Sequence, residues 1–76
     1  MTRYYFDIKD GQFLYPDEEG LDLSDQAAAA VEAAMSLADL AKDLTPLDER
    51  HDMAIEVRTS DRPVFKAAFI FDPLKP

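Results

Sequence analysis

Apolar and polar residues alternate with two different spacings along the chain, and the longest regular segment runs from Ser24 to Leu44. This segment is rich in alanine and repeats its apolar residues at helical spacing, so it predicts a single helix. At about 100° per residue, the face predicted to be buried consists of Ala27, Ala30, Ala34, Leu37, Ala38, Ala41 and Leu44. The opposite, polar face consists of Asp25, Glu32, Ser36, Asp39 and Asp43. A face made mostly of alanine allows the helix axis to approach a sheet closely.

Two strand-like segments precede the helix. Arg3 to Lys9 alternates as a half-buried strand does, with its apolar side chains on one side. Asp10-Gly11 then predicts a tight turn, because glycine accepts a positive φ without steric cost. Gln12 to Tyr15 is the returning strand, and Pro16 ends it by removing a backbone donor.

Two more strands are predicted after the helix. Thr45-Pro46 stops the helix, since proline disfavours helical geometry in the residue before it. Leu47 to Asp52 is a polar connector, after which Met53 to Thr59 alternates again. Val64 to Phe71 has the strongest strand pattern in the chain.

The order of these segments predicts an α+β fold with the arrangement ββαββ. About four antiparallel strands form one sheet, and the helix packs on one of its faces. The 76 residues are expected to form a single domain. The predicted core consists of Tyr4, Phe6, Ile8, Ala34, Leu37, Ala38, Ala41, Ile55, Val57, Phe69 and Phe71.

Charge and composition restrict the partners. Sixteen acidic residues against eight basic ones give a net charge of -8. Such a surface repels phosphate groups, so neither nucleic acid nor an anionic membrane is an expected partner. The chain has no cysteine and no apolar segment long enough to cross a bilayer. These features predict a cytoplasmic protein in a reducing compartment.

Several short motifs resemble those of one family. They are Arg3-Tyr4-Tyr5-Phe6, the Asp10-Gly11 turn, Pro16-Asp17-Glu18-Glu19-Gly20, the alanine-rich helix and the terminal Phe71-Asp72. In this order they resemble a family of short, uncharacterised bacterial proteins classed as a domain of unknown function. The resemblance covers nearly the whole chain and implies the fold, but it assigns no activity to any residue.

A second resemblance is to antitoxins of the HicB type. Those proteins also place a Pro-Asp-x-x-Gly segment between early strands and a helix that contains alanine, and Pro16-Asp17 and Gly20 match that segment. The resemblance implies a role as the partner of a basic toxin. This chain lacks an appended DNA-binding domain, and turn geometry alone also explains a loop of this composition.

Candidate chemistry is limited to one acidic cluster and one histidine. Asp17, Glu18, Glu19 and Asp22 supply oxygen atoms of the kind that bind hard cations, but without the spacing of a calcium loop, which favours a solvated turn. His51 has no nucleophile near it in the sequence. A small metal-dependent hydrolase built from His51 and the acidic loop is therefore the less favoured alternative. No catalytic residue, cofactor or metal ligand is assigned.

The last strand offers an interaction surface. With one helix and four strands, one sheet face stays uncovered, and it should carry apolar side chains that have no internal partner. The residues assigned to this surface are Tyr5, Val64, Lys66, Ala68 and Ile70. The sequence therefore predicts a non-enzymatic protein-binding or assembly module that contacts a protein partner, or a second copy of itself as a homodimer, through the last strand or the outer sheet face.

Overall fold

The computed structural model describes residues 1–42, 52–70 and 74, and these residues form one helix and five strands in one open sheet. The elements are β1 (Thr2–Asp10), β2 (Phe13–Tyr15), β3 (Leu21–Leu23), α1 (Gln26–Lys42), β4 (Met53–Arg58) and β5 (Pro63–Phe69). The predicted α+β class, with a single helix packed on the sheet, is confirmed for this part of the chain.

The strand β1 organises the sheet. All its pairings are antiparallel, with β4 along one edge over Tyr5 to Asp10. The other edge is shared by β2, which pairs with Ile8 to Asp10, and by β3, which pairs with Thr2 to Tyr4. β5 lies outside β4, so the order is β2-β1-β4-β5 with β3 in line with β2.

The strand β3 was missing from the ββαββ prediction. Its sequence Leu21-Asp22-Leu23 has the alternation of a strand, but three residues after an acidic loop give too short a pattern to recognise. Pairing with β1 defines this strand, because its backbone bonds to Thr2–Tyr4 rather than to a sequence neighbour. The sheet therefore has five strands instead of four among the described residues.

The predicted buried face of α1 was wrong, apart from Leu37. The side chains that pack on the sheet are those of Ala29, Ala33 and Leu37. Alanine occurs on both sides of the helix, so the apolar period does not distinguish one face from a face rotated around the axis. The predicted face is solvent-exposed at Ala27, Ala30, Ala34 and Ala38 and partly buried at Ala41.

The core lies between α1 and the central strands. Its buried apolar residues are Tyr4, Ala29, Ala33, Leu37, Met53, Ile55 and Val57. Phe6, Ile8 and Phe69 of the predicted core pack against this cluster while partly buried. The core prediction was therefore correct in the strands and wrong at Ala34 and Ala38.

The helix α1 begins at Gln26, two residues after Ser24, where the predicted segment starts. The Asp25 carboxylate accepts a hydrogen bond from the Ala28 backbone N–H at 2.8 Å, and the Asp25 carbonyl accepts from Ala29 N–H at 3.2 Å. Asp25 is therefore the N-cap, a position that aspartate and serine both favour.

Some sequence predictions lie outside the described residues. These are the end of the helix at Thr45-Pro46 with Asp43 and Leu44, the connector from Leu47 to His51, and Phe71 with Asp72-Pro73. In the part of the chain that the structure describes, no helix is both long enough and apolar enough to span a membrane.

Candidate interaction surface

One edge of β1 is closed by the loop that joins β2 to β3, residues 16–20. β2 pairs as far as Ile8 and β3 begins its pairing at Tyr4, so neither strand reaches Phe6. The Asp17 carboxylate accepts the Phe6 backbone N–H at 3.1 Å. One side chain thus takes the place of a strand carbonyl at the gap between β2 and β3.

The same carboxylate also holds its own loop. It accepts the backbone N–H groups of Glu19 at 3.1 Å and of Gly20 at 3.2 Å. Partial burial alone would raise the pKa of Asp17, but the N–H donors of Phe6, Gly20 and Glu19, together with the charge of Arg58, lower that pKa below its usual value. Asp17 is therefore held as an anion, and the loop depends on that charge.

Arg58 connects this loop to the outer face of the sheet. Its Nε donates to Asp7 Oδ2 at 2.8 Å, and its Nη2 donates to the Asp17 carbonyl at 3.0 Å. The guanidinium carbon lies 4.6 Å from the centroid of the Tyr5 ring, which is close enough for a cation–π contact. The hydrogen bond to Asp7 raises the pKa of Arg58, and the Asp7 carboxylate in turn accepts the Asp17 backbone N–H at 2.9 Å.

A second arginine holds the far end of the loop. Arg3 binds both carboxylate oxygens of Asp22, at 2.9 and 3.0 Å, and donates to the Glu19 carbonyl at 2.7 Å. The hydrogen bond from Arg3 lowers the pKa of Asp22. The chain passes this point at Gly20, whose φ of 73° lies in the left-handed region.

The acidic cluster is thus used within the fold. Asp17 holds backbone N–H groups, and Asp22 pairs with Arg3. No group of three or more histidine, aspartate or glutamate side chains is placed to hold a metal ion among residues 1–42, 52–70 and 74. His51, the other candidate for chemistry, lies outside the described residues.

The assigned interface residues divide between two environments. Tyr5, Lys66 and Ala68 lie on the sheet face opposite α1, where Lys66 is paired in register with Glu56. Val64 packs against the core cluster, so its assignment to the outer face was wrong; a register irregularity beside Arg58 changes the alternation at that end of β5. Ile70 follows the end of β5 and is 66% exposed.

The second edge of β5 is open among the described residues. Phe6 donates its backbone N–H to Asp17, on the side of β1 that faces away from β4. Phe6 and the opposite residue Val57 are therefore a non-hydrogen-bonded pair, so the backbone groups of Val57 point to β5. Backbone groups alternate in direction along an antiparallel strand. By this alternation, the N–H and C=O groups of Lys66 and Ala68 point to the open edge.

An exposed apolar face of α1 lies beside this edge. It consists of Ala27, Ala30, Ala34 and Ala38, and we call it the alanine face. A shallow groove of about 360 Å³ separates its C-terminal half from β5 and is lined by Ala34, Leu37, Ala38, Ala41, Ala67, Ala68 and Phe69. The sequence assigned these alanines to the buried face of the helix; only the pairing of β5 and the rotation of α1 reveal them as surface.

Comparison with known proteins gives a family. The model of a family described as a domain of unknown function, DUF6894, matches residues 3–70. The match spans the arginines, the loop and β5, and the resemblance to HicB antitoxins is not confirmed. No curated protein and no solved structure matches the chain. The sequence, from Arg3 through β5, therefore belongs to the DUF6894 family of domains of unknown function.

Proposed function

We propose that this protein is a non-enzymatic binding module that takes an extended strand of a partner at the open edge of β5. The observation that carries the proposal is the direction of the backbone groups of Lys66 and Ala68, which point away from β4. Unpaired backbone groups along a strand edge are a template for another strand. Main-chain hydrogen bonds would provide affinity, and the neighbouring side chains would provide selectivity.

The composition of the edge supports this role. Natural edge strands are commonly protected by charges, proline or a covering element. Within β5, Lys66 is the single charged residue, and Pro63 stands at the first position, where it leaves the rest of the edge unaffected. Ala68 and Ile70 add apolar surface next to the open backbone groups.

Paired variants at Ala68 test the proposal. Proline at this position removes an outward N–H without removing a hydrogen bond to β4. Threonine keeps the N–H and, like proline, makes the side chain at the edge larger. Tagged parent, Ala68→Thr and Ala68→Pro chains are purified from native cells, and their melting curves are recorded. We expect one polypeptide to co-purify with the parent and with Ala68→Thr but not with folded Ala68→Pro. Equal recovery with all three chains would contradict strand binding at β5.

An antitoxin-type role is a second candidate, supported by the charge alone. A net charge of -8 suits a basic partner protein. In that case the acidic side chains outside the Arg3 and Arg58 contacts would supply the contact surface. Binding would then fall steeply with added salt and would persist in Ala68→Pro, and these two outcomes separate it from strand binding.

Two further parts of the proposal come from composition. The cysteine-free chain suits a cytoplasmic location, and its acidic surface suits a protein partner rather than nucleic acid or a membrane. A hydrolase that uses His51 with the acidic loop is the alternative of another class. It is tested by metal binding, measured by calorimetry with Mg²⁺, Mn²⁺ and Zn²⁺. We expect the parent to show no saturable metal site that depends on His51. A site that is present in the parent and lost in His51→Ala would favour the hydrolase.

A further inference from the structure

We infer that the partner strand at the open edge is β5 of a second copy of this chain, so that the protein is a homodimer with one continuous sheet. The inference rests on the proposed strand-binding function and names its partner. The two-fold axis passes beside Ala67, and the two β5 strands run antiparallel. Both α1 helices then lie on the same face of the joined sheet, because side chains of directly opposed residues point to the same face.

The register follows from backbone direction and from one charge. Hydrogen-bonded pairs across the axis can form only between residues whose backbone groups face the open edge. Pairing Lys66 with Lys66 of the second copy would place like charges directly opposite each other, which is destabilising. Pairing Lys66 with Ala68 of the second copy avoids this contact. Centring the axis one residue later, at Ala68, would oppose Lys66 by Ile70 and leave fewer of the described β5 residues within the pairing.

The position of α1 fits this arrangement. The helix packs on both β4 and β5. Neighbouring strands are about 4.8 Å apart, so a helix above the gap between β4 and β5 lies about 5 Å from the two-fold axis. The two helices would therefore be about 10 Å apart, within reach of the 8–10 Å that is usual for packed helices. The alanine face borders this contact, and small side chains such as Ala34 and Ala38 permit the close approach.

The available surface is sufficient for a dimer. A specific interface needs at least about 500 Å² from each partner, which is less than a tenth of the 5692 Å² that the chain exposes. The β5 edge and the alanine face together supply a contiguous apolar strip. Ile70, next to the end of β5, is 66% exposed.

The charges are also distributed in favour of this contact. Although the chain is strongly acidic, the alanine face contains no charged residue. Glu32 and Asp39 lie roughly 140° or more around the helix from Ala34 at 100° per residue, on the flank away from β5. On the outer face, Lys66 of each copy is opposed in register by Glu56 of its own chain. The acidic surfaces of the two copies are thus held apart.

Sedimentation equilibrium at high micromolar concentration tests the dimer. We expect the parent to have twice the chain mass of 8.6 kDa. Ala38→Glu places a charge in the helix contact and Ala68→Pro removes an edge donor, so both should be monomers with a parent-like circular dichroism spectrum. Leu14→Glu, on β2 at the opposite edge of the sheet, and Ala68→Thr are the matched controls and should remain dimers.

Single cysteines test the register, since the chain has none of its own. Ala67→Cys lies beside its copy across the axis, at the short Cα separation of a non-hydrogen-bonded pair, about 4.5 Å, which a disulfide can bridge. Lys66→Cys is displaced from its copy by two residues along the strands and is too far for a disulfide. With copper phenanthroline as the oxidant, we expect covalent dimer from Ala67→Cys and not from Lys66→Cys.

Each result decides one part of the inference. A monomeric parent, or a dimer that survives both Ala38→Glu and Ala68→Pro, would overturn the homodimer. Cross-linking through Lys66→Cys rather than Ala67→Cys would overturn the register. A monomeric parent whose co-purifying polypeptide is still lost in Ala68→Pro would refute the second copy as partner while leaving strand binding at β5 intact.

Discussion

The side of β1 that faces away from β4 and the outer side of β5 satisfy their backbone groups in different ways. At the edge of β1, Asp17 occupies the gap between two short strands, and Arg3 and Arg58 fasten the loop to the outer face. At the edge of β5, no described strand or loop covers the outward backbone groups of Lys66 and Ala68. The gap along β1 is satisfied by side chains of the chain itself, whereas the outer edge of β5 is left open among the described residues.

This difference shows where the polar residues of a small domain are used. An antiparallel sheet must satisfy its backbone groups with a strand, a side chain, water or a partner. Here the side-chain solution is concentrated on one edge, where it uses Asp7, Asp17 and Asp22. The helix beside the other edge carries alanine instead. Variants that open the closed edge should therefore affect folding, and variants at the open edge should affect association.

The largest effect is expected from Asp17→Ala. The substitution leaves the backbone N–H groups of Phe6, Glu19 and Gly20 without their acceptor. Hydrogen bonds to charged groups contribute about 1.5–3 kcal/mol each, and loop relaxation recovers part of the loss. We expect the free energy of unfolding, measured with urea, to fall by about 2–4 kcal/mol, a large share of the roughly 4–11 kcal/mol expected for a domain of this length.

Glu18→Ala is the control for that loss, because Glu18 is an exposed acidic neighbour in the same loop. It should change the free energy of unfolding by less than about 0.5 kcal/mol.

The pH dependence of the free energy of unfolding gives a second check on Asp17→Ala. The folded-state pKa of Asp17 is below its unfolded value, so its contribution is complete above about pH 5 and is lost as pH falls through the folded-state pKa. The stability difference between the parent and Asp17→Ala should therefore shrink below about pH 4; a constant difference down to pH 2 would contradict the role of the charge.

A smaller effect is expected from Gly20→Ala at the same edge. A Cβ at this position would lie 2.8 Å from Arg3 Cγ and 3.0 Å from Tyr5 Cε2, in addition to the strain of a φ of 73°. The left-handed conformation costs about 1–2 kcal/mol for a residue with a Cβ. We expect a total loss of about 2–3 kcal/mol, since the displaced side chains add to that strain.

Gly11→Ala separates the two causes. Gly11 has a similar φ of 62° in the β1–β2 turn. Alanine at position 11 therefore has the same backbone strain but lies away from Arg3 and Tyr5. We expect it to cost about 1 kcal/mol less than Gly20→Ala. Equal losses in urea denaturation would mean that Arg3 and Tyr5 move aside freely and that the loop is not packed against them.

The strands were predictable because their signals are local. The alternation in β1 and β4 and the Asp10-Gly11 turn each lie within a few residues, and the structure confirms them. Contacts between distant residues were not predictable. Asp7 and Arg58 are 51 positions apart in the sequence, and the role of Asp17 depends on a gap that exists only once β2 and β3 are both paired. The acidic loop was therefore interpreted as a solvated turn.

The rotation of α1 could not be predicted for a different reason. Apolar periodicity identifies a buried face only when the other faces are polar, and alanine, at eight of the 17 positions of this helix, occurs on more than one face. The helix face around Ala34 and the helix face around Ala33 both show apolar residues at helical spacing. The strands decide between the two faces through packing, since Met53, Ile55 and Val57 are the large side chains to which a flat face of Ala29 and Ala33 fits closely.

Leucine substitutions at Ala33 and Ala34 distinguish these two faces of the helix. The smallest change in the free energy of unfolding is expected at Ala34, on the face beside the open edge. If Ala34 were in the core, as its spacing predicts, Ala34→Leu would overpack the helix–sheet contact at a cost of about 1–3 kcal/mol. Ala34 is exposed and Ala33 is fully buried, so we now expect that cost for Ala33→Leu and a change below about 0.5 kcal/mol for Ala34→Leu. Both are measured by urea denaturation at low micromolar concentration, where the dimer contribution is smallest. At high concentration, Ala34→Leu should weaken the proposed dimer, because the larger side chain would separate two helices that would meet through alanine. A large loss of stability in Ala34→Leu with a neutral Ala33→Leu would mean that the helix packs through the face the sequence indicated, and that the alanine face is part of the core.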